Sequence, residues 1–124
     1  MIIRKISDVT PVEWGNGLSH RFLVERDGMG YSLTDTIVWA GTSSPLQYRK
    51  HLEACYCISG RGAVIDADGR QHVLEPGTMY ALDQNDPHHL IADPGEDLRL
   101  ICVFSPALQG DERHQLAEAE FSHY

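Results

Sequence analysis

Glycine and proline interrupt this chain at short intervals, and the segments between them are too short and too rich in β-branched and aromatic residues for helices. Turn signals fall at Gly15-Asn-Gly17, Asp27-Gly28, Gly60-Arg-Gly62, Asp66-Ala-Asp-Gly69, Pro76-Gly77, Asp86-Pro87 and Pro94-Gly95. Strands are expected at Ile2–Ile6, Arg21–Val24, Tyr31–Ala40, Ala63–Ile65, Gln71–Leu74, Thr78–Leu82 and Leu98–Phe104, with Gly41 to Pro45 as a break. His51–Ser59 is apolar at nearly every position and reads as a strand buried on both faces. Past Pro106 the β pattern fades, and Leu116-Ala-Glu-Ala-Glu120 suggests a short helix within Asp111–Glu120. This succession of strands predicts an all-β sandwich or barrel with a short helical or irregular tail. At 124 residues the chain is expected to be one domain, spanning 1–124. Gly60-Arg-Gly62 joins strand to strand, so it is not a nucleotide fingerprint.

Charge narrows the partners. Ten Lys and Arg against eighteen Asp and Glu leave a net charge of -8. That balance disfavours a nucleic-acid backbone and an anionic membrane surface. No apolar run approaches the roughly 20 residues needed to span a bilayer. Met1 to Ile6 lacks the features of a secretory signal, so a cytoplasmic protein is expected. The three cysteines, Cys55, Cys57 and Cys102, cannot all pair, and no C-x-x-C spacing occurs. Cys55 and Cys57 share a strand face about 7 Å apart, at the edge of disulfide reach, which favours reduced thiols.

Two stretches carry the chemistry. One is His51-Leu-Glu53-Ala-Cys-Tyr56-Cys-Ile-Ser-Gly60-Arg-Gly62; the other runs from Leu74 through Pro76-Gly-Thr-Met-Tyr80-Ala-Leu-Asp83 to Pro87-His88. Taken singly, His88 after a proline reads as a turn histidine and Tyr80 as an ordinary core aromatic. Glu53 inside an apolar strand is harder to set aside, because an unpaired buried carboxylate is costly. Together the stretches resemble the two halves of the cupin motif, which implies a single cupin (RmlC-like jelly-roll) barrel. The paired histidines usual upstream of the glutamate are replaced here by Gln47, Tyr48 and Arg49.

The resemblance narrows to the ectoine synthase family on Ala40-Gly-Thr42, His51-Leu-Glu-Ala54, Tyr56-Cys-Ile58, Pro76-Gly-Thr-Met-Tyr-Ala-Leu-Asp83 and Cys102-Val-Phe104, and it continues through Pro106, Leu108, Gly110, Glu112 and His114. It implies a hydro-lyase that closes N-γ-acetyl-L-2,4-diaminobutyrate to ectoine with loss of water, in the biosynthesis of an osmoprotectant. The iron ligands it implies are Glu53, Tyr80 and His88. Such an O,O,N set suits iron(II) better than zinc or another divalent metal. It also implies substrate contacts at Arg21, Thr36, Tyr48, Cys102 and Phe104, and acid–base groups at Glu112 and His114 on a segment folded over the barrel mouth. A homodimer is implied as well. The chain departs from the family pattern at Gly17, where a tryptophan is usual, at Ser43-Ser-Pro-Leu-Gln47, and beyond Gln115. Two other readings stay open from the residues alone: a divergent cupin lyase or isomerase acting on a related amino-acid derivative, and a cupin that only binds a solute.

Overall fold

The structure is a computed structural model that describes residues 1–114, Leu116 and 121–123. Strands follow one another as β1 (Val12–Glu13), β2 (Gly17–Leu23), β3 (Ser32–Val38), β4 (Ser43–Gln47), β5 (Leu52–Ser59), β6 (Gly62–Ile65), β7 (Gln71–Leu74), β8 (Met79–Leu82), β9 (His88–Ala92), β10 (Leu98–Ser105) and β11 (Ser122–His123). They form a six-stranded sheet ordered β1-β2-β3-β10-β5-β8 and a five-stranded sheet ordered β11-β4-β9-β6-β7. Every pairing is antiparallel except the parallel contact of β11 with β4. The all-β architecture read from the turn spacing is the one observed.

The core lies between the sheets, where Val38, Leu46, Cys57, Leu74, Leu98, Leu100 and Leu108 are fully enclosed. Period-2 alternation supplies it: β10 buries Leu98, Leu100, Cys102 and Phe104 and turns the residues between them outward. Gly60 makes the tight turn from β5 to β6 at φ 84°, where a Cβ would sit 2.3 Å from the carbonyl oxygen of Asp97.

Four expectations need correction. Ile2–Ile6 is not a strand: residues 1–5 pair with no strand, a single 3-10 turn occupies Ile6–Asp8, and Arg4 is held by Asp27 and the Phe22 carbonyl. The break at Gly41–Pro45 hides the start of β4, whose Pro45 lies opposite His89 and beyond the end of β11, an edge position that needs no N–H. β5 is buried on one face only; Glu53, Cys55 and Cys57 point inward, while Leu52, Tyr56 and Ile58 are exposed. The tail is irregular over Asp111–His114 and returns to β structure at β11. The remainder of the expected helix, Gln115 and 117–120, lies outside the described residues.

Candidate active site

Register assembles the site. Residues opposite one another in an antiparallel ladder share a face, and one such line crosses five strands: Arg21 (β2), Thr34 (β3), Cys102 (β10), Cys55 (β5) and Tyr80 (β8). The next line inward-facing along the strands is Ser32, Phe104, Glu53 and Leu82. A bulge at Phe22 follows Arg21, and a second at Ile58 lets β5 leave the line after Cys57.

This face borders a narrow interior pocket. Thr36, Tyr48, Glu53, Tyr80, Cys102 and Phe104 of the expected set all line it, joined by Trp14, Ser19 and Cys55. The glutamate is at the centre of the electrostatics. Burial pushes its pKa up to about 8, against the opposing pull of hydrogen bonds from the Cys55 and Cys102 side chains. Burial, then the acidic groups around it, likewise push the Tyr80 hydroxyl well above its ordinary value, and the Cys55 thiol is raised for the same reasons. Without a cation these groups keep their protons; a bound cation would favour their ionised forms. Donor atoms of Glu53, Cys55 and Cys102 lie within 4.8 Å of one another.

His88 is a neighbour of Tyr80. It comes from β9, in the opposite sheet, and its ring centroid is 6.3 Å from that of Tyr80 and 6.1 Å from that of Tyr48. It belongs to neither the lining of the interior pocket nor the carboxylate–thiol group; it lines a cleft shared with Tyr80, Asp83 and Asp86. Its Nδ1 lies 2.9 Å from the Asp86 carbonyl oxygen, so the ring proton sits on Nδ1 and Nε2 carries the lone pair. That Nε2 is buried with no partner among the described residues. Burial also lowers its pKa, keeping the ring neutral. The unpartnered, unprotonated imidazole nitrogen of His88, the Tyr80 phenol and a Glu53 carboxyl that enters no ion pair among the described residues are donor types that suit a divalent metal.

Arg21 does not reach the pocket. Its Nη2 donates to the Glu112 carbonyl oxygen at 2.7 Å and its Nη1 to the Glu112 carboxylate at 3.4 Å. That carboxylate also accepts from the backbone N–H groups of Gln109 and Gly110, both at 2.8 Å. Burial opposes ionisation of Glu112, yet these N–H groups and Arg21 hold its pKa below the usual range. His114 is buried: its N–H donates to the Trp14 carbonyl, its Nδ1 lies 2.9 Å from the Ser122 hydroxyl, and its Nε2 lies 3.2 Å from the Tyr48 hydroxyl at the pocket wall.

Sequence reasoning missed Trp14, Ser19 and Ser122. Ser19 was available from strand parity, since Gly17, Ser19 and Arg21 alternate inward on β2. Trp14 takes up space that a side chain at position 17 would need. A Cβ there would fall 1.8 Å from the Ile37 carbonyl oxygen and 2.9 Å from the Trp14 Nε1, which itself donates to that carbonyl at 3.1 Å. Ser122 had no local signal, because only the β11–β4 pairing brings it to His114.

The profile describing the ectoine synthase family matches residues 1–121. An L-ectoine synthase of Desulfatibacillum aliphaticivorans is 46% identical over 121 residues, covering 92% of this chain and 92% of that protein. Among solved structures, an ectoine synthase from P. lautus superposes with a TM-score of 0.83 at 38% identity, covering 89% of this chain and 81% of that one. A cupin 2 conserved barrel domain protein from Salinispora arenicola superposes with a TM-score of 0.68 at 17% identity, covering 85% and 88%, which marks the fold as a cupin barrel.

Proposed function

The chain belongs to the ectoine synthase family, and we propose that it acts as that family's hydro-lyase, closing N-γ-acetyl-L-2,4-diaminobutyrate to ectoine with release of one water in osmoprotectant biosynthesis. The observation that carries the catalytic reading is the buried Nε2 of His88, left without a partner among the described residues and close to Tyr80, with ring centroids 6.3 Å apart. Glu53, Tyr80 and His88 would hold a divalent cation, iron(II) in this reading, which would act as a Lewis acid toward the acetamide oxygen.

The chain's own groups do the rest. The narrow pocket holds the flexible substrate folded, with its α-amine against its own amide carbon, which removes entropy from the barrier. Thr36, Cys102 and Phe104 form the wall against which it lies. Tyr48 and His114 are in hydrogen-bond contact, so a proton from the substrate ammonium can pass through the Tyr48 hydroxyl to His114 Nε2. The freed amine adds to the amide carbon, the carbonyl π pair moves onto oxygen, and one proton of the attacking nitrogen passes to that oxygen to give a hydroxyl. The same proton then returns to the departing hydroxyl, which leaves as water, and the ring nitrogens keep the charge as an amidinium. Arg21 and Glu112 brace the segment that carries His114.

As to setting, the chain is read as one cupin domain acting on a small molecule in the cytoplasm. No helix among the described residues is long and apolar enough to cross a membrane. A homodimer is supported by the apolar outer face of the six-stranded sheet, where Tyr56, Ile58, Met79 and Val103 are exposed. Anaerobic incubation of iron-loaded protein with N-γ-acetyl-L-2,4-diaminobutyrate should yield ectoine; intact substrate after prolonged incubation would overturn the proposal.

A further inference from the structure

Glu53 is common to two candidate donor sets. One is the proposed set with Tyr80 and His88. In the other, the Cys55 and Cys102 sulfurs and a Glu53 carboxylate oxygen lie within 4.8 Å of one another, and all three residues are buried. The ladder creates this group, since Cys55 and Cys102 are direct partners on β5 and β10 and Glu53 is the adjacent inward residue of β5. Two further observations single it out. No described ion pair includes the Glu53 carboxyl. Tyr80 is the direct ladder partner of Cys55 on the same face, which offers a fourth donor. Cys57 faces the same way but directs its thiol at the Ser59 carbonyl, 3.5 Å away.

We propose that Cys55, Cys102 and Glu53 form a binding site for a thiophilic divalent cation of the zinc or cadmium class, and that its occupation excludes iron because both sets need Glu53. Two thiolates select soft ions, whereas the carboxylate, phenolate and imidazole set suits a harder one. A zinc–sulfur bond of about 2.3 Å puts tetrahedral sulfur ligands roughly 3.8 Å apart, so the group needs to contract by about 1 Å at most. Each thiol releases its proton to solvent on binding, as does the Glu53 carboxyl if protonated, and no redox change occurs. The soft-metal site stands independently of the proposed function; only the competition rests on the Glu53–Tyr80–His88 reading.

Cadmium is the probe, because its bonds to thiolate absorb in the ultraviolet. Titration of metal-free protein should raise a charge-transfer band that saturates at one equivalent. Cys55→Ser and Cys102→Ser should each lose most of the band, and Cys57→Ser should keep it. No band in the wild type, or an undiminished band in the Cys55 and Cys102 variants, would overturn the site. With iron-loaded wild type, cadmium should release iron to a colour-forming chelator, equivalent for equivalent. Iron that stays bound while the band saturates would overturn the competition. Iron missing from Cys55→Ser before cadmium is added would instead count against the Glu53–Tyr80–His88 assignment.

Discussion

His114 and Tyr48 are 66 residues apart in the chain, yet the Nε2 of one lies 3.2 Å from the hydroxyl of the other. The contact ties the segment after β10 to the pocket wall, because Tyr48 also packs edge-on against Phe104 with ring centroids 5.2 Å apart. It gives the tail a place in the chemistry that a solvated extension would lack.

Removing that contact separates chemistry from folding. His114→Ala should lower turnover by about 10²-fold, the scale of a lost acid–base group, while iron content stays near one equivalent. Truncation after Gln109 should do the same and also lower the melting temperature, because Leu116 packs on the core. Steady-state rates with metal analysis decide it; a truncated protein that cyclises substrate at the full-length rate would refute the role.

Metal retention tests the ligand set directly. Glu53→Ala, Tyr80→Ala and His88→Ala should each lose most bound iron, since every ligand is a large share of affinity when there are three. Elemental analysis after gel filtration reads this out, and full occupancy in any one variant removes that residue from the set.

Glu53 also sets a pH dependence. Its folded pKa of about 8 exceeds the ordinary carboxylate value of about 4.3. The unfolded chain therefore releases the proton first, and metal-free stability from this group is full at acid pH and is lost as pH rises through about 8. Denaturant midpoints from pH 5 to pH 8 should fall for the wild type and stay flatter for Glu53→Gln. Iron-loaded protein should not show the Glu53 slope, because the cation holds the carboxylate ionised. Parallel wild-type and variant curves would show that Glu53 is already ionised in the metal-free fold.

The approach of β2 to β3 at Gly17 leaves no room for a side chain. Gly17→Ala should destabilise the protein by about 1–3 kcal/mol, as overpacking does, and should loosen Trp14 from the pocket wall. Thermal melts and the tryptophan emission maximum report the two effects; an unchanged melt would mean that the strands part freely there.

Most strands were legible because glycine and proline mark their ends and because alternation shows their faces. Ile2–Ile6 looked like a strand from its β-branched residues, but strand structure needs a partner, and Arg4 ties this segment to Asp27 instead. β5 looked doubly buried because its outward positions are also apolar, and composition alone cannot say that nothing among the described residues covers them. Within the site, parity put Glu53 with Cys55 and Cys102 with Phe104. The juxtaposition of Cys55 with Cys102 required knowing that β5 and β10 are neighbours. Resemblance to the family pointed to His114, but its contact with Ser122 depends on a two-residue parallel pairing with no local signature.

The line from Arg21 to Tyr80 has a consequence for how such a chain could drift. Val103 and Ile101 are as apolar as the inward residues beside them, so a one-residue insertion early in β10 would turn those side chains into the core and still leave a plausible strand. The barrel would retain apolar packing there, but Cys102 and Phe104 would face outward, away from Cys55 and Glu53. A homologue could thus keep the composition and most of the letters and yet be catalytically silent, its loss written only in phase.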